Sequence, residues 1–191
     1  MDREIELRLV ARLKAGEPSA FEAIYEAYRP RLFGFLVRLS RRRDVAEDLL
    51  EETWLRLVQC ASTLTDEARL APWLFTVARN LYYSWRRSRG ADPSRTSELD
   101  PAWPAPERGD SPFAAAAQGE LERQLEAALA QLSLADRELL LLVGVEGLTP
   151  SEVAAVCGVP SATVRARLHR ARERLAEEMG AAGTLPRAKA G

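Results

Sequence analysis

Hydrophobic residues recur at helical spacing through most of the chain. In the first part they lie three and four residues apart, which is the pattern of amphipathic helices. The segment from Gly16 to Ser19 separates the first two predicted helices, and Pro30 is predicted to lie near the junction of the next pair. No strand pattern stands out, so the sequence predicts an all-α protein. The apolar groups are Leu7, Val10 and Ala11; Phe21, Ile24, Tyr25 and Tyr28; and Leu32, Phe35, Leu36 and Leu39.

Two helical blocks flank a segment that is rich in helix breakers. The first block covers residues 1–88, the second covers 119–180, and a tail follows at 181–191. Residues 89–118 contain many prolines but few aliphatic residues, a composition typical of a flexible linker. The sequence therefore predicts two small helical domains joined by a flexible linker.

A helix-turn-helix is predicted in the second block by the stretch TPSEVAAVCGVPSATVRARLHRARERL. Thr149 can cap the first helix in a capping box with Glu152. Gly158 falls where the chain must turn sharply, and Val164 and Leu168 can pack back on the first helix. Such a motif docks the apolar back of its second helix and inserts the basic front into the major groove of DNA. The alternative is an ordinary helical hairpin with a solvated arginine face.

The second helix of this motif is the predicted recognition helix. Its N-terminus favours a phosphate, because backbone N–H groups and the helix dipole point there. Helical periodicity turns Arg165, Ala166, His169 and Arg170 toward the groove, with Arg167 nearer the DNA backbone. The candidate residues for binding duplex DNA are Ser161, Thr163, Arg165, Ala166, Arg167, His169 and Arg170.

Acidic residues follow one side of a predicted helix over residues 44–59, and apolar residues follow the other. A solvated helix face is the ordinary interpretation of such a charge run. The alternative is a docking surface for a basic partner, since opposed potentials steer association and fix register. The acidic residues are Asp44, Glu47, Asp48, Glu51 and Glu52.

Aromatic and basic residues are interleaved over residues 71–89. Single-stranded nucleic acid is bound by aromatic faces that stack on bases and by cations that follow the backbone. Trp73 and Leu74 are predicted to lie in the core, whereas the segment from Tyr82 to Arg87 is the better candidate surface. The candidate strand-opening residues are Arg79, Asn80, Tyr83, Trp85, Arg86 and Arg87.

The net charge of the chain is not that of a typical protein that binds DNA alone. The formal net charge is −1 at pH 7, although the recognition helix is basic. Proteins that bind DNA alone usually carry a basic excess, because neutralising phosphates supplies much of their affinity. We therefore expect this chain to bind DNA weakly alone, or to be held on DNA by a larger partner.

The scarcity of ligand and nucleophile residues argues against an enzyme. His169 is the only histidine, and Cys60 and Cys157 are the only cysteines. The cysteines are expected to be buried as small apolar residues in a reducing compartment. We predict no catalytic residue, no metal site and no cofactor. No signal peptide and no apolar run of membrane-spanning length is found, so a cytoplasmic protein without membrane insertion is expected.

Five segments, in this order, resemble a bacterial RNA polymerase sigma factor of the extracytoplasmic-function (ECF) group in the sigma-70 family. No single segment is decisive, but their order is highly specific. The resemblance covers residues 18–88 and 119–178. Ser84 departs from it, since family members often carry an acidic residue there. The segments are FEAIYEAYRPRLFGFL at 21–36, DVAEDLLEETWLRL at 44–57, PWLFTVARN at 72–80, LSLADRELLLL at 132–142, and the helix-turn-helix.

The resemblance implies that the chain binds core RNA polymerase and directs it to promoter DNA, for a stress or envelope response. It implies docking of the acidic helix on the clamp helices of the largest polymerase subunit. The aromatic–basic helix would engage the promoter where its strands separate, and the loop at 62–71 would help to capture a flipped base. The helix-turn-helix would read the upstream duplex element, while the linker would thread toward the active-site channel. An anti-sigma factor is a further implied partner.

Two other classes of protein remain as alternatives at this stage. A two-domain helix-turn-helix regulator with a sensing N-terminal domain would explain the recognition helix but not the aromatic–basic segment. A helical hydrolase or metal enzyme would need a phosphate-binding glycine loop or a cluster of metal ligands, and neither pattern is found. Co-purification with core polymerase would distinguish the sigma factor from the regulator.

Overall fold

The computed structural model describes residues 2–65, 69–89 and 112–182 of the chain. Every regular element in these ranges is helical, so the all-α prediction is confirmed. A 3-10 turn at Ala61–Thr63 and a π-helical turn at Leu141–Val145 accompany the α-helices. The α-helices are α1 Arg3–Lys14, α2 Pro18–Ser40, α3 Arg43–Cys60, α4 Leu70–Ser88, α5 Pro112–Gln131, α6 Leu134–Leu140, α7 Pro150–Cys157 and α8 Ser161–Ala182.

Helices α1–α4 form the first domain around a core supplied by their apolar faces. Phe35 of α2 meets Phe75 of α4 edge to face, with ring centroids 5.2 Å apart. Full burial of one such side chain contributes about 1.5–3 kcal/mol, so this face holds α4 firmly on α2. The largest fully buried side chains here are Val10, Ile24, Leu32, Phe35, Leu36, Leu39, Leu57, Leu70, Leu74 and Phe75.

Helix α4, which carries the aromatic–basic segment, is fixed at its N-terminus by α1. The carboxylate of Glu6 is almost fully buried and accepts a hydrogen bond from the backbone N–H of Leu70. A carboxylate at this end of a helix satisfies a free N–H group and complements the helix dipole. The first helix therefore sets where α4 begins.

Pro30 does not mark a helix junction, so this prediction is wrong. Helix α2 runs without interruption from Pro18 to Ser40 and contains Pro30 in its interior. Proline removes one backbone hydrogen bond from a helix. The carbonyl that loses its partner belongs to Glu26, which is exposed, so water can satisfy it, while Tyr28 and Leu32 hold the helix in the core.

Helices α5–α8 form the second domain, in which α5 and α6 pack against α8. Ser133 caps α6 by accepting a hydrogen bond from the Asp136 N–H. Arg137 is almost fully buried and donates to the carbonyl oxygens of Leu129, Ala130 and Leu132 at the end of α5. One guanidinium group thus satisfies the carbonyls where α5 ends, which joins α5 to α6.

Helix α5 begins at Pro112, before the predicted linker ends at residue 118. Proline suits the first turn of a helix, and the alanines that follow it have high helix propensity. Treating Pro112 only as a helix breaker therefore placed the start of α5 too late. Helix α8 ends at Ala182, inside the predicted tail. The remaining linker residues 90–111 and tail residues 183–191 lie outside the described ranges.

The described residues contain neither a membrane-spanning helix nor a cluster of metal ligands. None of their helices combines the length and the hydropathy needed to cross a bilayer. No group of three or more histidine, cysteine, aspartate or glutamate side chains in these ranges could hold a metal ion. Both cysteines are free thiols and half-buried rather than fully buried.

Candidate nucleic-acid interface

The helix-turn-helix forms as its sequence predicts. Thr149 Oγ1 accepts from the Glu152 N–H at 3.3 Å, and the Thr149 N–H donates to the Glu152 carboxylate at 2.8 Å, which completes the capping box. Gly158 has a φ of 66° and ends α7 in the left-handed conformation. Its lack of a Cβ atom permits this turn at little cost, so α8 leaves at a fixed angle.

The recognition helix α8 has a buried back and an exposed basic front. Val164, Leu168 and Ala171 are buried against the rest of the second domain, which confirms the inward direction predicted for Val164 and Leu168. Arg174, near the end of the helix, forms an ion pair with Asp136 of α6. The predicted groove residues Arg165, Ala166, Arg167, His169 and Arg170 are all exposed.

Two details of α8 bear on the face that is predicted to contact DNA. Ser161 and Thr163 are half-buried at the start of the helix, where only their outer edges face solvent. His169 lies 3.2 Å through Nδ1 from the carboxylate of Glu173, one turn further on. This contact places an acidic group among the cations, which the sequence reasoning did not include.

The acidic face of α3 is exposed but unevenly paired. Asp44 lies beside Arg42, whose guanidinium group lowers the pKa of the Asp44 carboxyl through a hydrogen bond. Glu47 pairs with Arg43 at 2.9 Å, and Glu52 pairs with Arg56 at 2.8 Å. Among the described residues, no ion pair involves Asp48 or Glu51. These two carboxylates are therefore the ones most ready to meet a basic partner.

Leu55 and Val58 lie on the same exposed face of α3 as Asp48 and Glu51, because the four residues are spaced at intervals of three and four. Their exposed fractions are 56% for Leu55 and 58% for Val58, so two large apolar side chains adjoin the carboxylates on this face. The sequence reasoning missed them, although their spacing from Glu51 could have revealed them. We call Asp48, Glu51, Leu55 and Val58 the acidic–apolar stripe.

The candidate strand-opening residues do not share one face of α4. Arg79 and Tyr83 point to the second domain, where the Glu138 carboxylate accepts from Arg79 Nε at 2.5 Å and from the Tyr83 hydroxyl at 3.1 Å. Asn80 and Arg87 point to solvent, and Arg86 is half-buried. The structure therefore separates a set that the sequence had placed on one surface.

The aromatic residues at the end of α4 are more buried than predicted. Tyr82 belongs to the core, so its placement on the candidate surface is wrong. Trp85 is half-buried and stacks on Tyr82 with ring centroids 6.1 Å apart, and the guanidinium carbon of Arg89 lies 5.4 Å from the centroid of the Trp85 ring. Leu74 is fully buried as predicted, and Trp73 is half-buried. Trp85 therefore keeps part of its side chain exposed to solvent.

The carboxylate of Glu138 lies in an unusual environment. Burial raises its pKa, although Arg79 and Tyr83 act in the opposite direction. Burial also raises the pKa of the neighbouring Cys157 thiol to about 11, so the thiol stays protonated and poorly nucleophilic at neutral pH. The group of the second domain that contacts Arg79 and Tyr83 of α4 is therefore a desolvated carboxylate.

The loop predicted to capture a flipped base, at 62–71, is described only in part. Residues 66–68 lie outside the described ranges. Thr63 donates a hydrogen bond from its hydroxyl to the carbonyl of Cys60, and Leu64 is buried. The first part of the loop is therefore anchored at the end of α3, and its last two residues, 70 and 71, belong to α4.

Two helical domains, the second with a helix-turn-helix whose basic face is exposed, define the class of helical transcription proteins that read DNA. Matches to family models identify the family within this class. Residues 24–91 match sigma-70 region 2, and residues 122–175 match sigma-70 region 4.

Full-length relatives agree with these family models. The chain is 35% identical to the RNA polymerase sigma factor CarQ of Myxococcus xanthus over 88% of this chain and 94% of that protein. It is 34% identical to the ECF RNA polymerase sigma factor SigL of Mycobacterium tuberculosis over 81% of this chain and 86% of that protein. The chain belongs to the ECF group of RNA polymerase sigma factors.

Solved structures show the same fold. The sigma factor RpoE of Bartonella quintana, crystallised with the anti-sigma factor NepR, has a TM-score of 0.67 and 29% identity over 84% of this chain and 96% of that chain. CnrH, in complex with the cytosolic domain of CnrY, has a TM-score of 0.68 and 21% identity over 93% of this chain and 98% of that chain. At that lower identity, CnrH supports the fold alone.

Proposed function

We propose that this chain directs core RNA polymerase to promoters through three separate surfaces. The acidic–apolar stripe on α3 docks on the polymerase, the exposed part of α4 acts where the strands separate, and α8 reads the upstream duplex. The observation that carries this proposal is the stripe, because two carboxylates without an ion pair among the described residues adjoin exposed leucine and valine on one face of α3. Such a surface fits a partner helix with basic residues followed by apolar ones.

The partner also accounts for the near-neutral net charge of the chain. Polymerase tethers the chain and raises the effective concentration of each weak DNA contact. The chain itself supplies recognition and performs no catalysis, and it works in the cytoplasm, where the polymerase is. An anti-sigma factor, as seen with RpoE of Bartonella quintana, is a further proposed partner. The stress or envelope signal implied by the resemblance stays a prediction.

Run-off transcription on a promoter library tests the whole proposal. Core polymerase should initiate from a distinct set of promoters only when this chain is added. Co-purification of the chain with core polymerase should be seen in the same preparation. A chain that binds duplex promoters without changing polymerase initiation would instead support the helix-turn-helix regulator.

The first prediction for DNA concerns sequence reading by α8. Substituting Arg165 or Arg170 with alanine should relax base preference at the upstream element by about 1–3 kcal/mol, the usual discrimination of an arginine contact to guanine. Arg167→Ala should instead weaken DNA binding evenly across sequences and flatten the salt dependence of that binding. The reason is that helical periodicity is expected to turn Arg167 toward the DNA phosphates. Promoter-library profiles measure both effects. If the profiles of the Arg165 and Arg170 variants match the native profile, these two arginines do not contact the bases.

The second prediction for DNA concerns strand opening by α4. Replacing Trp85 and Arg86 together with alanine should reduce promoter melting about ten-fold, because stacking one base on an aromatic ring contributes about 1–3 kcal/mol. Permanganate reactivity of unpaired thymines measures melting, and circular dichroism checks that the variant keeps its helices. Arg123→Ala, an exposed change on α5, is the control. Native melting in a well-folded double variant would refute the assignment.

A further inference from the structure

A charged residue, Glu6, occupies a position in the apolar stripe of α1. The buried residues of this helix recur at intervals of three and four and therefore share one face; they are Glu6, Leu9, Val10 and Leu13. Glu6 is 4% exposed, less than Leu9 or Leu13 at 7% each. A carboxylate at such a position lowers stability unless it has a partner. The stripe therefore holds a group whose use lies in the contact that it makes.

That contact is with the first turn of α4. The carboxylate of Glu6 accepts a hydrogen bond from the backbone N–H of Leu70, whose side chain is fully buried. Arg69, the N-cap residue of α4, supplies no side-chain hydrogen bond to this turn. Glu6 therefore does from another helix what a capping side chain ordinarily does from the N-cap position.

Tyr28 of α2 shows how little water reaches this contact. Burial raises the pKa of the Tyr28 hydroxyl, and the negative charge of Glu6 raises it further. Tyr28 is 2% exposed, so the hydroxyl and the carboxylate share one desolvated region where α1, α2 and α4 meet. Hydrogen bonds in such a region are stronger than in water. The start of α4 is therefore tied to α1 where little water can replace the acceptor.

The other end of α1 meets the segment that follows α3. Helix α1 packs against the 3-10 turn at Ala61–Thr63, and Leu13 lines one cleft together with Ala61. Leu64 is buried directly after this turn, and its N–H donates to the carbonyl oxygen of Ala61. The C-terminal end of α1 therefore fixes the point where the chain leaves α3.

One helix thus contacts both flanks of the loop at 62–71. An α-helix rises 1.5 Å per residue, so Glu6 and Leu13 lie about 10 Å apart along the axis of α1. The two contacts are on the same buried face, because these residues are seven positions apart. The length of α1 therefore sets the distance between the end of α3 and the start of α4.

We propose that α1 is a spacer that positions the two flanks of this loop, and that Glu6 is a positioning residue for the selection of a promoter base at strand separation. This inference rests on the proposed action of the chain where the strands separate and on the predicted role of the loop in capturing a flipped base. Glu6 acts through Leu70 and does not touch DNA. The exposed flank residues that the structure describes are Ser62, Thr63, Thr65 and Arg69.

Fixed flanks favour selection for a physical reason. A segment whose two ends are already held loses less conformational entropy when it binds than a segment held at one end. Supporting contacts also keep the groups that meet the ligand close to the geometry that distinguishes one ligand from another. Loss of the contact between Glu6 and Leu70 should therefore reduce discrimination between bases more than it reduces binding to polymerase.

Two substitutions of Glu6 separate its hydrogen bond from its charge. Glu6→Gln keeps an acceptor oxygen and removes the charge, whereas Glu6→Leu extends the apolar stripe and removes the acceptor. Glu4→Leu, at an exposed position of α1, is the matched control. Each full-length variant is combined with core polymerase and a promoter library randomised at the strand-separation element. Selectivity is the ratio of run-off transcript from the preferred base to that from the other bases.

We expect Glu6→Leu to lower this selectivity about ten-fold, because displaced flanks misplace the groups that contact the base. Glu6→Gln and Glu4→Leu should stay within about two-fold of the native chain, since neither removes the acceptor. Selectivity at the upstream element and affinity for core polymerase should remain native in all three variants. A purely stabilising role for Glu6 would lower transcription from every promoter alike and leave the ratio unchanged.

Amide hydrogen exchange at Leu70 connects this result with the contact itself. Exchange of the Leu70 N–H should be faster in Glu6→Leu but not in Glu6→Gln. Native exchange in Glu6→Leu would overturn the anchoring, and faster exchange with native selectivity would overturn the positioning role. A loss of selectivity in Glu6→Gln as large as that in Glu6→Leu would also contradict the proposal, because the acceptor would then be irrelevant.

Glu6→Asp keeps the test decisive if circular dichroism shows that Glu6→Leu does not fold. It retains the charge but withdraws the oxygens from Leu70 by one methylene group, so the same loss of selectivity and the same faster exchange are expected. Native selectivity in a folded Glu6→Asp variant would contradict the positioning role.

Failure of this inference can be told apart from failure of the proposed function. Replacing each residue from 65 to 69 with glycine removes the side chains of the loop and leaves α1 unchanged. If selectivity then stays native, the loop has no role in base capture and that part of the proposed function fails. If the glycine replacement abolishes selectivity but Glu6→Leu preserves it, only the positioning by α1 fails.

Discussion

Reversing Asp48 and Glu51 to lysine is expected to lower the affinity of the chain for core RNA polymerase about 100-fold. The two carboxylates form no ion pair within the described residues, so no cation in those ranges competes for them. Truncating one member of a buried interfacial charge pair costs about 2–5 kcal/mol, and reversal adds repulsion. A 100-fold loss corresponds to about 2.7 kcal/mol. Fluorescence anisotropy of the labelled chain, titrated with core polymerase, measures the affinity.

The control for this reversal is Glu22→Lys with Glu26→Lys, the same change of charge on the exposed side of α2. We expect it to alter the affinity by less than about three-fold, since rim or remote charges contribute little. Circular dichroism should show native helix content in both double variants. Native affinity in the Asp48 and Glu51 reversal would remove α3 from the polymerase interface.

Replacing Arg137 with methionine is expected to lower the free energy of unfolding by about 3 kcal/mol. Methionine fills much of the volume, but the buried carbonyls of Leu129, Ala130 and Leu132 lose their shared donor. Each buried polar group left without a partner costs about 1–3 kcal/mol. Burial lowers the pKa of the Arg137 guanidinium, yet the group stays charged at neutral pH because arginine starts from such a high pKa. Urea unfolding followed by circular dichroism measures the loss.

Arg123→Met is the matched control for Arg137→Met. Arg123 lies on α5 with 76% of its side chain exposed, and it pairs with Glu120 one turn away. Exposed pairs of this kind contribute about 0.2–1 kcal/mol, so we expect little change. A loss below about 1 kcal/mol for Arg137→Met would show that water satisfies the α5 carbonyls instead.

Features that depend on near neighbours in sequence could be predicted. The capping box of Thr149 and Glu152, the left-handed Gly158 and the buried Val164 and Leu168 each follow from spacing within a few residues. Pro30 shows the limit of such reasoning. A proline predicts a break when only local hydrogen bonding is considered, whereas packing on both sides of it maintains α2.

Features that depend on contact between distant segments could not be predicted. Glu138 lies 59 residues from Arg79 along the chain, and no pattern among neighbouring residues predicts their ion pair. The sequence therefore placed Arg79 and Tyr83 on the same open surface as Asn80. The exposed Leu55 and Val58 differ from these, because their helical spacing from Asp48 and Glu51 places them on the acidic side of α3 and could have been recognised from the sequence.

In each of four ion pairs between the domains the first domain supplies the arginine and the second the glutamate, which matters for building chimeras. The pairs are Arg31 with Glu146, Arg38 with Glu126, Arg69 with Glu152 and Arg79 with Glu138. A second domain transplanted from a relative brings its own residues to the positions of Glu126, Glu138 and Glu146. Where those residues are not acidic, the arginines of this first domain would face the wrong partner. The two halves are therefore expected to have changed together during divergence, so that Arg79 and Glu138 are inherited as a pair and a working hybrid must exchange both.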